Sequence, residues 1–287
     1  MNILDDLKLQ YKTGGLVLKI IFWNIGVFIL FSLFGVILKV LYSDFNYFEY
    51  VALPSDFRAF ILKFWTIFTY MFFHAHFWHL FWNIVILWFS SRYFLYYFTF
   101  KQFSTVYFLG GIFAGIFYVI VYLFLGDYSQ LLGASAAIYA ILFSVTIYAP
   151  YTQVSIFNLD FIKLWHICFF ILFLDIIQMP FNNFGGHIAH LGGALFGFIY
   201  IKLLQSGTDL TKPFSAVLDA FANLFKPKKI TPFKKVHRNS TKNVVNSLIA
   251  KKDITQKQID DILDKISKSG YDSLTKEEKE FLFKAGK

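Results

Sequence analysis

Residues 102–125 have the sequence QFSTVYFLGGIFAGIFYVIVYLFL, which contains no charged side chain. A helix of about 20 apolar residues is long enough to cross the roughly 30 Å hydrocarbon core of a bilayer. Five other segments have the same apolar character, so the sequence predicts six membrane-spanning helices. Their approximate bounds are 15–38, 62–89, 102–125, 134–150, 162–180 and 186–204. The fourth and fifth segments are short, which favours helices that begin below the membrane surface or pack inside the bundle.

The composition of the chain agrees with this interpretation. Of its 287 residues, 57% are hydrophobic and only 16% are charged, whereas soluble domains average nearer a quarter charged. The charge is also uneven, since residues 1–205 contain 10 Lys and Arg and 8 Asp and Glu, while residues 206–287 contain 17 and 10. We therefore predict an all-α membrane protein made of a cytoplasmic N-terminal segment (1–14), a six-helix membrane domain (15–205), a basic linker (206–252) and a small cytoplasmic helical hairpin (253–287).

Two sequence patterns in the C-terminal part predict the linker and the hairpin. Seven Lys and Arg residues fall between positions 226 and 242 without an acidic residue, which is typical of a solvated linker or of a segment that binds anionic lipid headgroups. No nucleic-acid-binding module accompanies this charge, which disfavours nucleic-acid binding. In the hairpin, apolar residues from Ile259 to Ile266 recur at helical spacing, Gly270 ends the first helix, and Thr275 with Glu278 forms a capping box for the second.

The distribution of Lys and Arg predicts the orientation, because these residues are enriched in cytoplasmic loops. They flank the N-terminus, the links after the second and fourth segments, and the C-terminal end of the sixth: Lys8, Lys12, Lys19, Arg92, Lys101, Lys163 and Lys202. The links after the third and fifth segments contain neither. We therefore expect both termini on the cytoplasmic side of a bacterial plasma (inner) membrane. Asp5 and Asp6 precede the first apolar run, which argues against a cleavable signal peptide.

Three polar clusters interrupt the apolar segments, where such side chains are costly and usually functional or paired. They are His74-Ala-His76-Phe-Trp-His79-Leu-Phe-Trp-Asn83 in the second segment, Gly133-Ala-Ser135-Ala-Ala-Ile-Tyr139 in the fourth and Gly186-His187-Ile-Ala-His190-Leu-Gly-Gly193 in the sixth. All three segments start on the outer side in the predicted orientation. The clusters can therefore meet in the outer half of the bilayer, provided that the longer second segment tilts or protrudes.

The residue types in these clusters suit attack on a peptide bond. Ser135 becomes a nucleophile if a histidine such as His190 takes its proton. Ser135 lies at a helix start, which supplies unpaired backbone N–H groups and the positive end of the helix dipole for a developing oxyanion. His79 and Asn83, four residues apart, present two further donors on one helix face. Tyr139, one turn after Ser135, is placed to stack against the His190 ring.

Each of these residues also has a structural interpretation when it is taken alone. A serine in an apolar helix usually bonds to its own preceding turn, and a membrane histidine or asparagine often joins two helices. The small residues Ala189, Gly193 and Gly197 form an ordinary helix-packing stripe. The prediction of a catalytic site depends on their combination.

The combination resembles the rhomboid family of intramembrane serine proteases over residues from about 62 to 200. The family's H-x-x-x-N, G-x-S-G and A-H-x-x-G motifs are matched by His79 and Asn83 with His74 upstream, by Gly133, Ala134 and Ser135, and by Ala189, His190 and Gly193, and its aromatic residue by Tyr139. The resemblance implies a six-helix fold and cleavage of single-pass transmembrane proteins without a metal or cofactor. It also implies a Ser135–His190 dyad with no acidic third member, and an oxyanion site formed by His79, Asn83 and the Ser135 amide.

Two features depart from the family's pattern. The glycine that follows the family's serine is Ala136 here, which adds a methyl group where the fourth and sixth segments pack. We expect the site to accommodate it with a slight shift. The Trp-Arg pair of the family's first loop is also missing, and in its place residues 40–61 contain a cluster of aromatic residues, which favours a loop lying partly in the outer leaflet.

Other classes of membrane protein fit the sequence less well. A metalloprotease would need H-E-x-x-H, but none of the four glutamates follows a histidine. An aspartyl protease would need two intramembrane aspartates in their motifs, and we interpret Asp175 as a buried partner or rim residue. A transporter would show internal repeats. The main alternative is a catalytically silent relative that binds transmembrane helices, which would be expected to lack the serine or the histidine.

Overall fold

The computed structural model describes residues 2–41, 46–154, 161–225 and 242–285, which are mostly helical. They fall into two compact units, residues 1–226 and 227–287. The first unit contains helices α1 (Ile3–Thr13), α2 (Gly15–Leu41), α3 (Phe48–Val51), α4 (Phe57–Leu62), α5 (Thr66–Thr69), α6 (Phe77–Tyr97), α7 (Phe100–Leu125), α8 (Ser135–Tyr148), α9 (Leu164–Gln178), α10 (Phe184–Gln205) and α11 (Thr211–Phe225), with strands β1 (Leu53–Pro54) and β2 (Gln130–Leu131). The second contains α12 (Lys242–Ser269) and α13 (Lys276–Ala285).

Three of the described helices are long and apolar enough to cross a membrane, namely α2, α7 and α10. Two shorter apolar helices, α8 and α9, correspond to the short fourth and fifth segments of the sequence. Ten of the 14 residues of α8 are buried, because α10, α7 and α6 pack around it. The prediction that a short segment packs inside the bundle is therefore confirmed for α8, whereas α9 buries only three of its 15 residues.

Helix α7 owes its length to clear signals at both ends. Thr99 and Gln102 form a reciprocal capping box at its start, and Gly126 ends it in the left-handed conformation at φ 69°. On its buried face, Gly110 leaves room for Ala140 of α8 and Gly111 leaves room for Met71, since a methyl group at either position would collide with that side chain. This close approach places α8 at the centre of the unit.

The second predicted segment, 62–89, is wrong as a single helix. Residues 62–76 contain the end of α4, then α5, a 3₁₀ turn over Tyr70–Phe72 and an extended stretch, and α6 begins only at Phe77. The reason is a local cap, because the His76 side chain accepts a hydrogen bond from the His79 N–H at 3.1 Å. His79 and Asn83 therefore lie in the first two turns of α6, and the tilt or protrusion that we expected is not needed.

The connection before α6 is more ordered than the predicted loop over residues 40–61. It contains α3, β1 and α4, while Tyr42 and Phe45 of its aromatic cluster lie outside the described residues. β1 pairs antiparallel with β2, with Leu53 opposite Leu131 and Pro54 opposite Gln130. This short sheet joins the connection to the segment that leads into α8.

The C-terminal part contains more helix than the predicted linker suggested. Helix α11 and the start of α12 both lie within residues 206–252, and the Phe214 ring stacks on Phe108 of α7 at 6.3 Å. Most of the predicted basic stretch, residues 226–241, lies outside the described residues. In the second unit, α12 ends before Gly270 and α13 follows Thr275, at the positions that the sequence predicted.

Candidate active site

Ser135 is the first residue of α8, and the two residues before it are held by hydrogen bonds. The Gly133 N–H donates to the Tyr70 carbonyl oxygen at 2.9 Å, and the Ala134 N–H donates to His74 Nε2 at 3.4 Å. Gly133 has a φ of +115°, a conformation that other residues rarely adopt. The bend at Gly133 therefore places both the hydroxyl and the backbone N–H of Ser135 at the N-terminal end of α8.

His190 of α10 meets Ser135 across the helix pair. Its Nε2 atom lies 2.7 Å from Ser135 Oγ, although the two residues are 55 positions apart in the chain. The Tyr139 ring stacks on the imidazole with centroids 4.3 Å apart and planes inclined by 16°. The stacking predicted for Tyr139 is thus present, and it restrains the plane of the His190 ring.

His79 and Asn83 lie beside the same end of α8. The His79 ring packs over Gly133 so closely that a methyl group added there would lie 2.6 Å from His79 Nε2. Asn83 Nδ2 donates to the His79 carbonyl oxygen at 2.7 Å. Since the amide has two N–H donors, Asn83 keeps one for another acceptor.

A cavity of about 630 Å³ connects these side chains. It is lined by Ser135, His190, His79, Asn83 and Tyr139, together with Trp78 and Trp82 of α6 and Asn182 and Asn183 before α10. A cavity of this size accommodates a short extended peptide segment. All the predicted site residues except Gly133 line it directly, and Gly133 shapes it through His79.

Comparison with protein families gives a match of residues 62–206 to the Rhomboid domain, which is just over half of the chain. The chain belongs to the rhomboid family. Residues 247–284 match a second family model, DUF6576, described as a family of unknown function. A comparison with curated proteins found no match.

In this rhomboid, Ala136 replaces the glycine of the family's serine motif, and α8 and α10 still pack closely against each other. Ala136 is fully buried, and a methyl group at Gly193 of α10 would collide with the Ala136 carbonyl oxygen. A methyl group at Gly197 would lie 2.8 Å from the Ala140 carbonyl oxygen. The glycines of α10 therefore provide the close approach between α8 and α10, and the added methyl of Ala136 does not separate the two helices.

The rhomboid also has an acidic side chain next to His190 that the sequence did not predict there. Asp175 Oδ1 of α9 lies 3.0 Å from His190 Nδ1 and 2.7 Å from His187 Nδ1. The resemblance implied a dyad without an acidic partner, and Asp175 was interpreted as a buried partner or rim residue. It is buried, and its partners are the predicted base and the histidine one turn earlier. His187, at helical spacing from His190, was the signal that could have suggested a shared partner.

Proposed function

We propose that this rhomboid is an intramembrane serine endopeptidase that cleaves single-pass transmembrane proteins by a Ser135–His190 pair. The observation that carries the proposal is the 2.7 Å separation between His190 Nε2 and Ser135 Oγ. An alcohol becomes nucleophilic when a base stands within hydrogen-bond reach. The site requires no metal or cofactor in this mechanism.

The first step is acylation. A substrate helix unwinds locally so that an extended stretch enters the cavity, and Ser135 Oγ attacks a backbone carbonyl carbon while its proton passes to His190 Nε2. The resulting oxyanion is stabilised by donors that are already in place. We assign this role to the Ser135 N–H, the remaining N–H of Asn83 and the His79 ring, with Gly133 as the residue that lets His79 approach.

Cleavage of the peptide bond completes acylation, and hydrolysis of the ester is the second step. His190 gives its proton to the leaving amine as the peptide bond breaks, which leaves the substrate acyl group on Ser135. A water molecule then attacks the ester, passes its proton to His190, and the proton returns to Ser135 as the second fragment leaves. Tyr139 supports both steps by keeping the imidazole in one plane.

The proposed topology has six crossings, formed by α2, α6, α7, α8, α9 and α10, with both termini in the cytoplasm of a bacterial cell. At 1.5 Å per residue, α8 and α9 are only about 21 and 22 Å long, so α8 crosses as a helix surrounded by protein. The orientation places the start of α8, with Ser135, towards the outer side. After the membrane domain, we propose a cytoplasmic helical hairpin formed by α12 and α13, together with contacts of the basic stretch with anionic lipids and none with nucleic acid.

The test is cleavage of a single-pass model substrate by the purified protein in liposomes. We expect Ser135→Ala and His190→Ala to abolish cleavage, and Ser135→Ala to abolish labelling by a serine-directed fluorophosphonate probe, with expression and monodispersity unchanged. Ser144→Ala is the matched control, since Ser144 is also buried on α8 but bonds to the Gly197 carbonyl oxygen. Substrate binding without cleavage by the wild type would instead support the silent, helix-binding alternative.

A further inference from the structure

Asp175 contacts the ring nitrogen of His190 that does not face Ser135. Its Oδ1 atom lies 3.0 Å from His190 Nδ1 and 2.7 Å from His187 Nδ1, and its side chain is only 7% exposed. An ionised carboxylate can only accept hydrogen bonds. Both contacts therefore require a proton on Nδ1 of each histidine, and the carboxylate selects one tautomer of His190.

That tautomer is the one that can act as a base toward Ser135. With the proton on Nδ1, the Nε2 atom carries a lone pair directed at Ser135 Oγ, 2.7 Å away. We propose that Asp175 is a positioning residue that holds His190 in this tautomer and completes a Ser135–His190–Asp175 triad; this inference rests on the protease function proposed above. The serine proton moves to Nε2, the Nδ1 proton stays where it is, and Asp175 remains ionised throughout.

Burial increases the electrostatic effect of the carboxylate. When His190 accepts the serine proton it becomes an imidazolium, 3.0 Å from Asp175. The attraction between opposite charges is stronger where water is excluded than in bulk solvent. Asp175 therefore stabilises the charge that appears on His190 during attack, in addition to orienting the ring.

His187 offsets part of the cost of burying the Asp175 carboxylate. An isolated ionised carboxylate would be costly inside the bundle unless several donors pair with it. His187 lies one turn before His190 on the same face of α10, and its Nδ1–H supplies a second donor to the same oxygen atom. This second donor holds the acceptor in place when His190 changes its protonation state.

The position of Asp175 on α9 separates this role from simple helix packing. The other buried residues of α9, Leu164 and Cys168, are in its first half, and the residues on either side of Asp175, such as Phe173, Ile176 and Ile177, are exposed. The buried position in the second half of α9 is therefore occupied by a carboxylate that faces His187 and His190 of α10. A purely structural contact would tolerate the isosteric amide, whereas a positioning residue requires the charge.

Asp175, His187 and His190 are also residue types that bind metal ions, and their donor atoms all lie within 4.8 Å of one another. Nitrogen and oxygen ligands lie about 2.0–2.2 Å from a zinc ion, so around a tetrahedral ion they are about 3.3 Å apart. The observed separations of 2.7 and 3.0 Å are shorter. Shared protons fit these distances better than a shared cation, and a metal requirement is one outcome of the test.

The experiment compares Asp175→Asn and Asp175→Glu with the wild type in liposomes, with Gln178→Ala, at an exposed position at the end of the same helix, as the control. We expect Asp175→Asn to lower kcat about 10-fold or more with KM changed less than about twofold. The second-order rate of fluorophosphonate labelling should fall in parallel, because it reports activation of Ser135 without substrate binding. Asp175→Glu should recover part of the loss, Gln178→Ala should behave as wild type, and EDTA should have no effect.

Wild-type kcat and labelling in Asp175→Asn would overturn the proposal, as would activity that EDTA abolishes and zinc restores. If Asp175→Asn does not fold, ¹⁵N NMR of the histidine-labelled wild type decides, with His190→Gln providing the assignment. A proton on Nδ1 of His190 supports the proposal, and a proton on Nε2 contradicts it. Failure of the wild type to cleave or to be labelled would instead refute the protease function, so the two failures are distinguishable.

Discussion

Gly133 shows how a single backbone angle determines the shape of the site. Its φ of +115° lets the chain turn into α8, and the missing side chain lets the His79 ring lie against the bend. Both conditions call for glycine, since a side chain would strain the backbone and also meet the ring. The position before the serine therefore couples the start of α8 to the first turn of α6.

We predict that Gly133→Ala lowers the rate of fluorophosphonate labelling about 10-fold or more, because displacement of His79 disturbs the oxyanion donors. Gly207→Ala is the matched control, since Gly207 has a φ of +90° but no atom of the described ranges lies near the added methyl group. Both variants carry backbone strain of about 1–2 kcal/mol. Equal labelling rates in the two variants would show that His79 has no part in the reaction.

Asn83 provides the second prediction at this scale. One amide N–H is bonded to the His79 carbonyl oxygen, and the other is free to meet the oxyanion. We expect Asn83→Ala to lower kcat by an order of magnitude or more with little change in KM, as for other oxyanion donors. Ser91→Ala is the control, because Ser91 is a buried residue of α6 whose hydroxyl donates to the Trp88 carbonyl oxygen of the same helix. Unchanged kinetics in Asn83→Ala would remove the residue from the mechanism.

The sequence predicted the meeting of Ser135 with His190 but not the contact of Asp175 with His190. Ser135 and His190 lie in two short motifs whose residue types and spacing predict a catalytic site. Asp175 is a lone acid within an apolar run, and the pattern says only that it needs a partner. The choice of partner depends on how α9 and α10 rotate against each other, which no local pattern in either helix specifies.

At the scale of elements, apolar length predicted the helices well where a helix is continuous and poorly where it is interrupted. Residues 62–76 are a mixture of apolar, aromatic and a few polar residues, as α6 is, so hydropathy does not separate them from α6. The break arises from the His76 cap at the start of α6, and the connection before this stretch is ordered by the pairing of β1 with β2. A two-residue strand is too short to produce an alternating pattern.

The α8–α10 contact gives a prediction for packing. A methyl group at Gly193 would collide with the Ala136 carbonyl oxygen, which backbone movement must relieve. We therefore expect Gly193→Ala to separate α8 from α10, to lower cleavage more than 10-fold and to destabilise the protein by about 1–3 kcal/mol. The measurements are the cleavage rate and the thermal unfolding midpoint in detergent.

The control for this packing prediction is Gly26→Ala in α2, where none of the residues that the structure describes lies within 4 Å of the added methyl group. Because alanine favours a helix more than glycine does, we expect Gly26→Ala to leave activity unchanged and to keep or raise the unfolding midpoint. A Gly193→Ala variant that behaved like Gly26→Ala would show that the two helices do not depend on this close approach.

At the scale of the whole molecule, the chain combines a membrane domain of known family with a C-terminal unit whose family model carries no function. Within that unit, Lys265 of α12 donates to both carboxylate oxygens of Glu278 of α13 at 2.9 Å. Glu278 also accepts from the Thr275 N–H at 2.8 Å. The sequence predicted the capping box from local spacing, but the ion pair joins two helices and is visible only in the structure.

These contacts make the C-terminal unit sensitive to acid. The Thr275 N–H and then Lys265 lower the pKa of Glu278 below its ordinary value of 4.5. A group with a lowered folded-state pKa stabilises the fold above its unfolded pKa, and this contribution disappears as the pH falls through the folded value. Its full effect is therefore present at pH 7 and absent well below pH 4.5.

We accordingly expect Glu278→Gln to lower the hydrogen-exchange protection of α13 and of the end of α12 at pH 7, measured on the 287-residue chain by mass spectrometry. At about pH 3 the protection factors of the variant and the wild type should converge, because the wild-type carboxylate is then largely neutral. Glu277→Gln removes the same charge from the first turn of α13 without either contact, and it should change protection little at both pH values. A difference between Glu278→Gln and the wild type that persisted unchanged at low pH would mean that the side chain acts through packing and not through its charge.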